Sequence, residues 1–296
     1  MSDLTLGHWL TAIRLKRYTH IDNPSAEAAI LAADALNLSR EYIFAHPEHP
    51  ISRQQRNQLD ALWQQREAGA PLPYLLGWWD FFGRRFQVTP DVLIPRPETE
   101  EMVSMALDWL KDHPEAALAA DVGTGSGCIA VSLALGCPRL RVHALEISPP
   151  AVKIARKNAR CHAVSHKVRC IQSDLLAETR TVYPLILANL PYIPGSVLEG
   201  LDVARQEPRL ALDGGADGLA VIERLLVQSR HSLAAGGLMI LEIEETTGPR
   251  ALERAKNLLP GAGVSLRKDL AGKDRFILVR REECPPAPMP RRSLPG

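Results

Sequence analysis

A chain of 296 residues is long enough for about two domains with an ordinary core, and its net charge of +1 supplies no global basic field that would favour nucleic acid as a partner. The five cysteines (Cys128, Cys137, Cys161, Cys170, Cys284) are odd in number and contain no C-x-x-C pair, which suits free thiols in a reducing compartment better than a disulfide framework or a zinc site. Asp3, His8, Arg14, Lys16 and Arg17 interrupt the first twenty residues, so no signal-peptide core is present, and no later run approaches a membrane span; the expected location is the cytoplasm.

Residues 1–75 are expected to form a small helical bundle. Leu6, Trp9, Leu10 and Ile13 share one helical face, and Ile30, Leu31, Ala35 and Leu38 repeat the spacing after Asn23-Pro24-Ser25. Ser52-Arg53-Gln54-Gln55 matches a capping box, opening a helix that buries Leu59, Leu62 and Trp63. His20, His46 and His49 are scattered and suit surface or capping roles; the bundle's expected task is to present a docking surface. Residues 76–95 follow as a β-hairpin linker around Phe82-Gly83-Arg84. Ile94-Pro95-Arg96-Pro97-Glu98-Thr99-Glu100-Glu101 then leads into a helix whose first-turn glutamates suit the positive helix terminus.

Residues 96–282 form the second predicted domain. From 118 onward strands and helices alternate, the pattern of an α/β, Rossmann-like, mainly parallel sheet. Strands are expected at 118–122, 140–145, 167–172, 184–188, 237–243, 263–266 and 275–280, with helices at 128–135, 150–159, 219–233 and 249–258. The last two strands, separated only by a polar turn, should form an antiparallel hairpin. The tail 283–296, rich in proline and poor in apolar residues, is expected to be disordered.

Three successive strand ends carry polar groups suited to a nucleoside. Asp121-Val122-Gly123-Thr124-Gly125-Ser126-Gly127 joins strand to helix, where glycines allow a tight turn and close approach of backbone to ligand. Its spacing is neither that of dinucleotide binders nor that of a P-loop, and no lysine follows to meet a phosphate. Glu146, about 20 residues on at the next strand end, can accept both hydroxyls of a ribose. Asp174 lies where it could meet an adenine amino group, with Leu175 beside the ring. Ribose and adenine without a phosphate cradle point to S-adenosyl-L-methionine. Singly, Glu146 also fits a helix N-terminal carboxylate and Asp174 a solvated loop acid.

The fourth end is Asn189-Leu190-Pro191-Tyr192, closing the apolar run 183–188. An Asn side-chain oxygen and the Leu190 carbonyl can accept the two N–H bonds of an NH2 group, leaving its lone pair toward an electrophile while the Tyr192 ring covers the planar acceptor. Alone, these four residues fit equally a strand followed by a Pro-containing turn with a core tyrosine.

Taken together, Leu93 to Glu100, Asp121 to Gly127, Asn189 to Tyr192 and Gln206-Glu207-Pro208-Arg209-Leu210-Ala211-Leu212-Asp213-Gly214-Gly215 resemble the peptide chain release factor glutamine methyltransferases (PrmC/HemK), as do Pro73-Tyr74-Leu75-Leu76-Gly77 and Phe81 to Val88. The resemblance covers about residues 5–281 and rests on the order of the motifs. It implies a class I S-adenosylmethionine-dependent methyltransferase domain, a helical domain that helps dock the release factor, and methylation of the glutamine amide nitrogen in the factor's Gly-Gly-Gln loop. By that resemblance Asn189, Leu190, Pro191 and Tyr192 carry the chemistry, while Gly123, Thr124, Gly125, Ser126, Gly127, Glu146, Asp174, Leu175 and Asn189 bind the cofactor. Neither a metal nor stable nucleic-acid or membrane binding is implied.

Three positions depart from the pattern. Leu190 replaces the family's usual proline, Leu175 stands where a larger ring-covering residue is common, and Glu242-Ile243-Glu244-Glu245-Thr246 lacks the glycine that usually follows the first glutamate. Asn-Leu-Pro-Tyr is also the form found in ribosomal RNA adenine dimethyltransferases, so an adenine-N6 methyltransferase is an alternative, and a non-catalytic cofactor-binding scaffold is a third. No general base is visible, and direct transfer needs none in advance because the nitrogen can lose its proton afterwards.

Overall fold

The computed structural model describes residues 5–282. The predicted tail at 283–296, with Cys284, and the opening residues 1–4 lie outside the described residues. The chain divides into two compact units, the first running to Pro95 and taking in Leu201–Pro208, the second comprising Arg96–Gly200 and the residues from Arg209 onward.

The first unit is built from α1 (Leu6–Arg14), α2 (Pro24–Leu36), α3 (Arg40–Ala45), α4 (Arg53–Glu67) and α5 (Leu72–Leu76), followed by a hairpin of β1 (Trp78–Phe81) and β2 (Arg84–Gln87). Each of the first four helices starts where a side chain satisfies an orphan amide: Thr5, Asn23, Ser39 and Ser52 accept from His8, Ala26, Tyr42 and Gln55. At α4 the predicted capping box is complete, with the Gln55 side chain returning to the Ser52 amide. Leu6, Trp9, Ile13, Leu31, Leu59 and Trp63 meet in the core, where Trp63 packs edge-on against both Trp9 and Tyr18. The indole N–H groups of Trp9 and Trp63 donate to Asp60 and to the Tyr18 hydroxyl. His46 and His49 are partly exposed and bond to Glu48 and Tyr42. Phe82 and Gly83 both adopt positive φ, which closes the two-residue hairpin turn.

In the second unit the chain runs α6 (Pro97–Asp112), β3 (Leu118–Val122), α7 (Cys128–Gly136), β4 (Arg141–Glu146), α8 (Pro149–Cys161), β5 (Val168–Gln172), β6 (Tyr183–Asn189) and α9 (Gly195–Leu198). After α10 (Val203–Gln206), in the stretch that belongs to the first unit, it continues through α11 (Ala220–Ser232), β7 (Leu233–Glu242), α12 (Gly248–Leu258), β8 (Ala262–Lys268) and β9 (Asp274–Arg281). The seven-stranded sheet has the order β5-β4-β3-β6-β7-β9-β8, parallel except for β9, which is antiparallel to both neighbours. β8 and β9 form the expected hairpin, and β9 is the strand that inserts beside β7. The strand expected at 237–243 starts earlier, at Leu233, across a register irregularity opposite Tyr183 and Leu185.

Strand order reverses at β3: the chain moves outward through β4 and β5 and returns to β6 on the other side. Open α/β sheets bind ligands at such a switch point, beyond the carboxyl ends of the strands. Register aligns those ends. Val122 pairs with Leu145 and Ala188, and Asn189 with Glu242. Gly123, Glu146, Asn189 and Glu242 therefore emerge along one edge of the sheet, above a core of Tyr183, Ile186, Met239 and Leu241.

Candidate active site

The glycine loop leaves β3 over a buried anchor. Asp121 is fully buried, and its Oδ2 accepts from Thr124 Oγ1 at 2.5 Å and from the Ala130 amide at 3.0 Å. Its Oδ1, equally buried, has no partner among the described residues. Desolvation raises the Asp121 carboxyl to about 7 against the pull of those two hydrogen bonds. The amides of Gly123 and Thr124 both donate to the Leu145 carbonyl, which ties the loop to the end of β4.

Glu146, buried at the end of β4, accepts from the Gly125 amide through Oε2 (2.9 Å) and from the Ser148 amide through Oε1 (3.0 Å). Each carboxylate oxygen has further lone pairs, so the residue can hold the loop and still accept from a diol. The three loop glycines divide by what surrounds them. A Cβ on Gly123 would stand 2.8 Å from Leu190 Cδ2 and one on Gly127 3.1 Å from Ala155 Cβ, whereas one on Gly125 would meet nothing within 4 Å. Gly123 and Gly127 serve close packing, and Gly125 faces open space. The open space beside Gly125, the buried Glu146 carboxylate with lone pairs to spare and the partnerless Asp121 Oδ1 fit a nucleoside cofactor carrying a ribose and a cationic head.

That partition predicts different consequences for two small changes. Gly123→Ala, with φ at +72° and the contact to Leu190, should lower the thermal midpoint of unfolding by several degrees. Gly125→Ala, strained by φ of +54° but unobstructed, should cost about 1–2 kcal/mol of loop strain and chiefly weaken cofactor binding. Calorimetry on both variants checks this; equal losses of stability and affinity in the two would contradict it.

At the acceptor side Asn189 is the last residue of β6. Its Nδ2 donates to Thr99 Oγ1 at 2.9 Å, and Thr99 Oγ1 donates to Glu242 Oε2 at 2.7 Å. Tyr192 directs its hydroxyl at Glu242 Oε1, 3.5 Å away. Thr99 and Glu242 are both buried. Thr99 occupies the first turn of α6, so the residues after Pro97 do more than open a helix: they bring a hydroxyl between the ends of β6 and β7. Leu190 is buried in the core cluster, its Cδ2 against Gly123. Burial pushes Glu242 up to about 7, opposed by the Thr99 hydrogen bond and by the charge of Arg275; Tyr192 is likewise raised, by burial and by Glu242.

A carboxyl raised by burial binds its proton more tightly when folded, so ionising it costs stability. Stability from Glu242 is therefore fully present below about pH 4.5 and lost as pH rises through about 7. Glu242→Gln should gain on the wild type across that window, approaching roughly 3 kcal/mol. Urea unfolding at pH 5 and pH 8 measures it, and a difference independent of pH would contradict it.

The remaining expected site residues have partners of their own. Asp174 Oδ2 pairs with Arg224 of α11 at 2.5 Å, and the residue is about half exposed. Leu175 adopts a left-handed φ of +55°, and its side chain is buried in the apolar cluster with Leu145 and Leu190. Thr124 and Ser126 are buried in the loop, the first against Asp121 and the second holding Asn158 Nδ2 with its carbonyl at 2.8 Å. Among the described residues no helix is long and apolar enough to cross a membrane.

The chain resembles known proteins along most of its length. Residues 10–77 match a family model described as the PrmC N-terminal domain, and residues 103–205 one described as the methyltransferase small domain. Similar curated relatives are a release factor glutamine methyltransferase of Moorella thermoacetica, 40% identical across 92% of this chain and 97% of its own length, and one of Bordetella pertussis, 40% identical across 86% and 93%. Among solved structures, a methyltransferase from Pyrococcus furiosus is 20% identical with a TM-score of 0.50, covering 77% of this chain and 99% of that one; it shows the fold.

Proposed function

The chain belongs to the release factor glutamine methyltransferase family, and from that membership we infer that it methylates the side-chain amide nitrogen of the glutamine in a release factor's Gly-Gly-Gln loop, using S-adenosylmethionine. The observation that carries this reading is the juxtaposition, along one sheet edge, of an open glycine turn held by Glu146 and an asparagine whose amide nitrogen is already committed to Thr99.

Gly125 and Glu146 would hold the cofactor, the carboxylate accepting from the ribose hydroxyls; Asp174 and Leu175 would border the adenine. Bound there, the cofactor supplies an electrophilic sulfonium methyl group. Asn189 Oδ1 and the Leu190 carbonyl accept the two N–H bonds of the substrate NH2 and turn its lone pair toward that methyl. Pro191 holds Leu190 extended, and Tyr192 covers the amide plane. The chemistry the cofactor would supply is a methyl carbon released from sulfur to the substrate nitrogen, which would lose its excess proton afterwards. Fixing the two reactants in this way can lower the barrier by about 7–11 kcal/mol.

Labelled methyl incorporation into a purified release factor, beside a ribosomal RNA control, tests the substrate class. Label in the factor alone is expected. Label in RNA alone would instead assign the asparagine to a base amino group, and no label with cofactor binding intact would make the chain a scaffold.

A further inference from the structure

We propose that Thr99 and Glu242 are positioning residues that set the polarity of the Asn189 amide, fixing which of its two ends faces the substrate. This deepens the glutamine-amide reading and rests on it.

An asparagine amide can occupy its site in two orientations that differ by exchange of oxygen and nitrogen. A substrate NH2 needs the oxygen. Nothing within Asn189 enforces that choice, so the partner must. Thr99 has one hydroxyl proton and two lone pairs. Facing a carboxylate, which can only accept, it must spend that proton on Glu242 (2.7 Å), and toward Asn189 it can then only accept (2.9 Å). The amide is thereby obliged to present Nδ2 to Thr99 and Oδ1 to the acceptor. The direction of the whole chain is set at its far end, by an anion.

Protonation of Glu242 removes the obligation. A carboxylic acid can donate to Thr99 Oγ1, whose proton is then free to reach Asn189 Oδ1, and the amide turns its NH2 toward the substrate NH2, donor against donor. The groups facing Glu242 decide how readily this happens. Thr99 and Glu98 come from α6, Tyr192 from the turn after β6, Asn189 from β6, and Arg275 from β9. Arg275 and the Thr99 and Tyr192 hydroxyls favour the ionised form; Glu98 and burial oppose it. Both Thr99 and Glu242 are buried, so water does not take over as the missing partner.

The test is steady-state kinetics on release factor from pH 5.5 to 9, with cofactor affinity and thermal unfolding measured on each variant. Wild-type kcat should fall on the acid side with a midpoint near neutrality. Thr99→Val should lower kcat by about 10- to 100-fold with cofactor affinity unchanged, and Thr99→Ser, which restores the hydroxyl, should recover most of it. Glu242→Gln should flatten the acid limb, because an uncharged amide can face Thr99 either way at every pH, and leave a rate reduced by about tenfold or less. Asp121 is unchanged in that variant, so a limb that persists in Glu242→Gln belongs to another group and overturns the proposal. Wild-type turnover in Thr99→Val overturns it too. A wild-type enzyme inactive on release factor overturns the substrate reading instead, and the two failures are distinct.

Discussion

Asn189→Ala should reduce methyl transfer by at least about 10²- to 10³-fold while S-adenosylmethionine binds almost as before. The expectation follows from where the residue sits. Asn189 ends β6 and reaches Thr99 rather than the glycine loop, so removing its amide takes one of two acceptors from the substrate NH2 and leaves Gly125 and Glu146 intact. The lone pair of an amide nitrogen is delocalised; without both acceptors the nitrogen is free to rotate away from the methyl group, and the loss falls on kcat. Titration calorimetry with cofactor and single-turnover methylation separate the two effects. A variant that turned over normally, or one that lost cofactor binding in proportion to rate, would contradict the assignment.

The converse result is expected at Glu146. Glu146→Ala removes a buried acceptor from the Gly125 and Ser148 amides and, on the proposed cofactor site, from two ribose hydroxyls. Hydrogen bonds to a charged group contribute about 1.5–3 kcal/mol each, so cofactor affinity should fall by about 10²-fold or more. Two partly buried backbone donors also lose their partner, which should lower the unfolding temperature. Glu146→Gln separates these contributions. Its single amide oxygen can accept from the loop or from the diol, so it should recover stability more fully than affinity. Equal recovery of both, or an Ala variant with unchanged affinity, would remove Glu146 from the cofactor site.

That these residues stand at strand ends was visible in the chain, because strand ends are legible from short apolar runs followed by turn residues. The glycines after Val122, Glu146 after 140–145 and Asn189 after 183–188 all fall on the sheet edge for that reason. Where function depends on pairing across distance, local pattern was silent. Glu242 falls within the strand expected at 237–243, but its burial is not legible locally; β7 is flanked by both β6 and β9, and β9 comes more than thirty residues later. Thr99, between glutamates in a first helical turn, has the pattern of a helix opening, and only the fold shows it standing between two strand ends. Asp174 pairs with Arg224, fifty residues on, a partner no local spacing identifies. Leu175 has a left-handed backbone and a side chain buried in the apolar cluster, and neither is legible from its neighbours in sequence. The early start of β7 has the same origin: Leu233 continues a helical pattern in sequence and becomes a strand residue because it pairs with Tyr183.

Leu190 illustrates how a departure from the familiar tetrad is accommodated. Its side chain fills the space beside Gly123, where a Cβ would not fit, and the backbone carbonyl that the chemistry requires is a property of any residue at that place. Proline would supply rigidity there; leucine supplies packing between the glycine loop and the tetrad.

The central claim is that the methyl group goes to a side-chain amide nitrogen held by Asn189. Tandem mass spectrometry of a release factor treated with enzyme and S-adenosylmethionine, beside the factor carrying Gln→Ala in its Gly-Gly-Gln loop, locates the product directly. One methyl group on the loop glutamine's side-chain nitrogen in the wild-type factor, and none in the variant, is the predicted result. A methyl group on a carboxylate, on a backbone position or on another residue, persisting in the Gln→Ala factor, would contradict it.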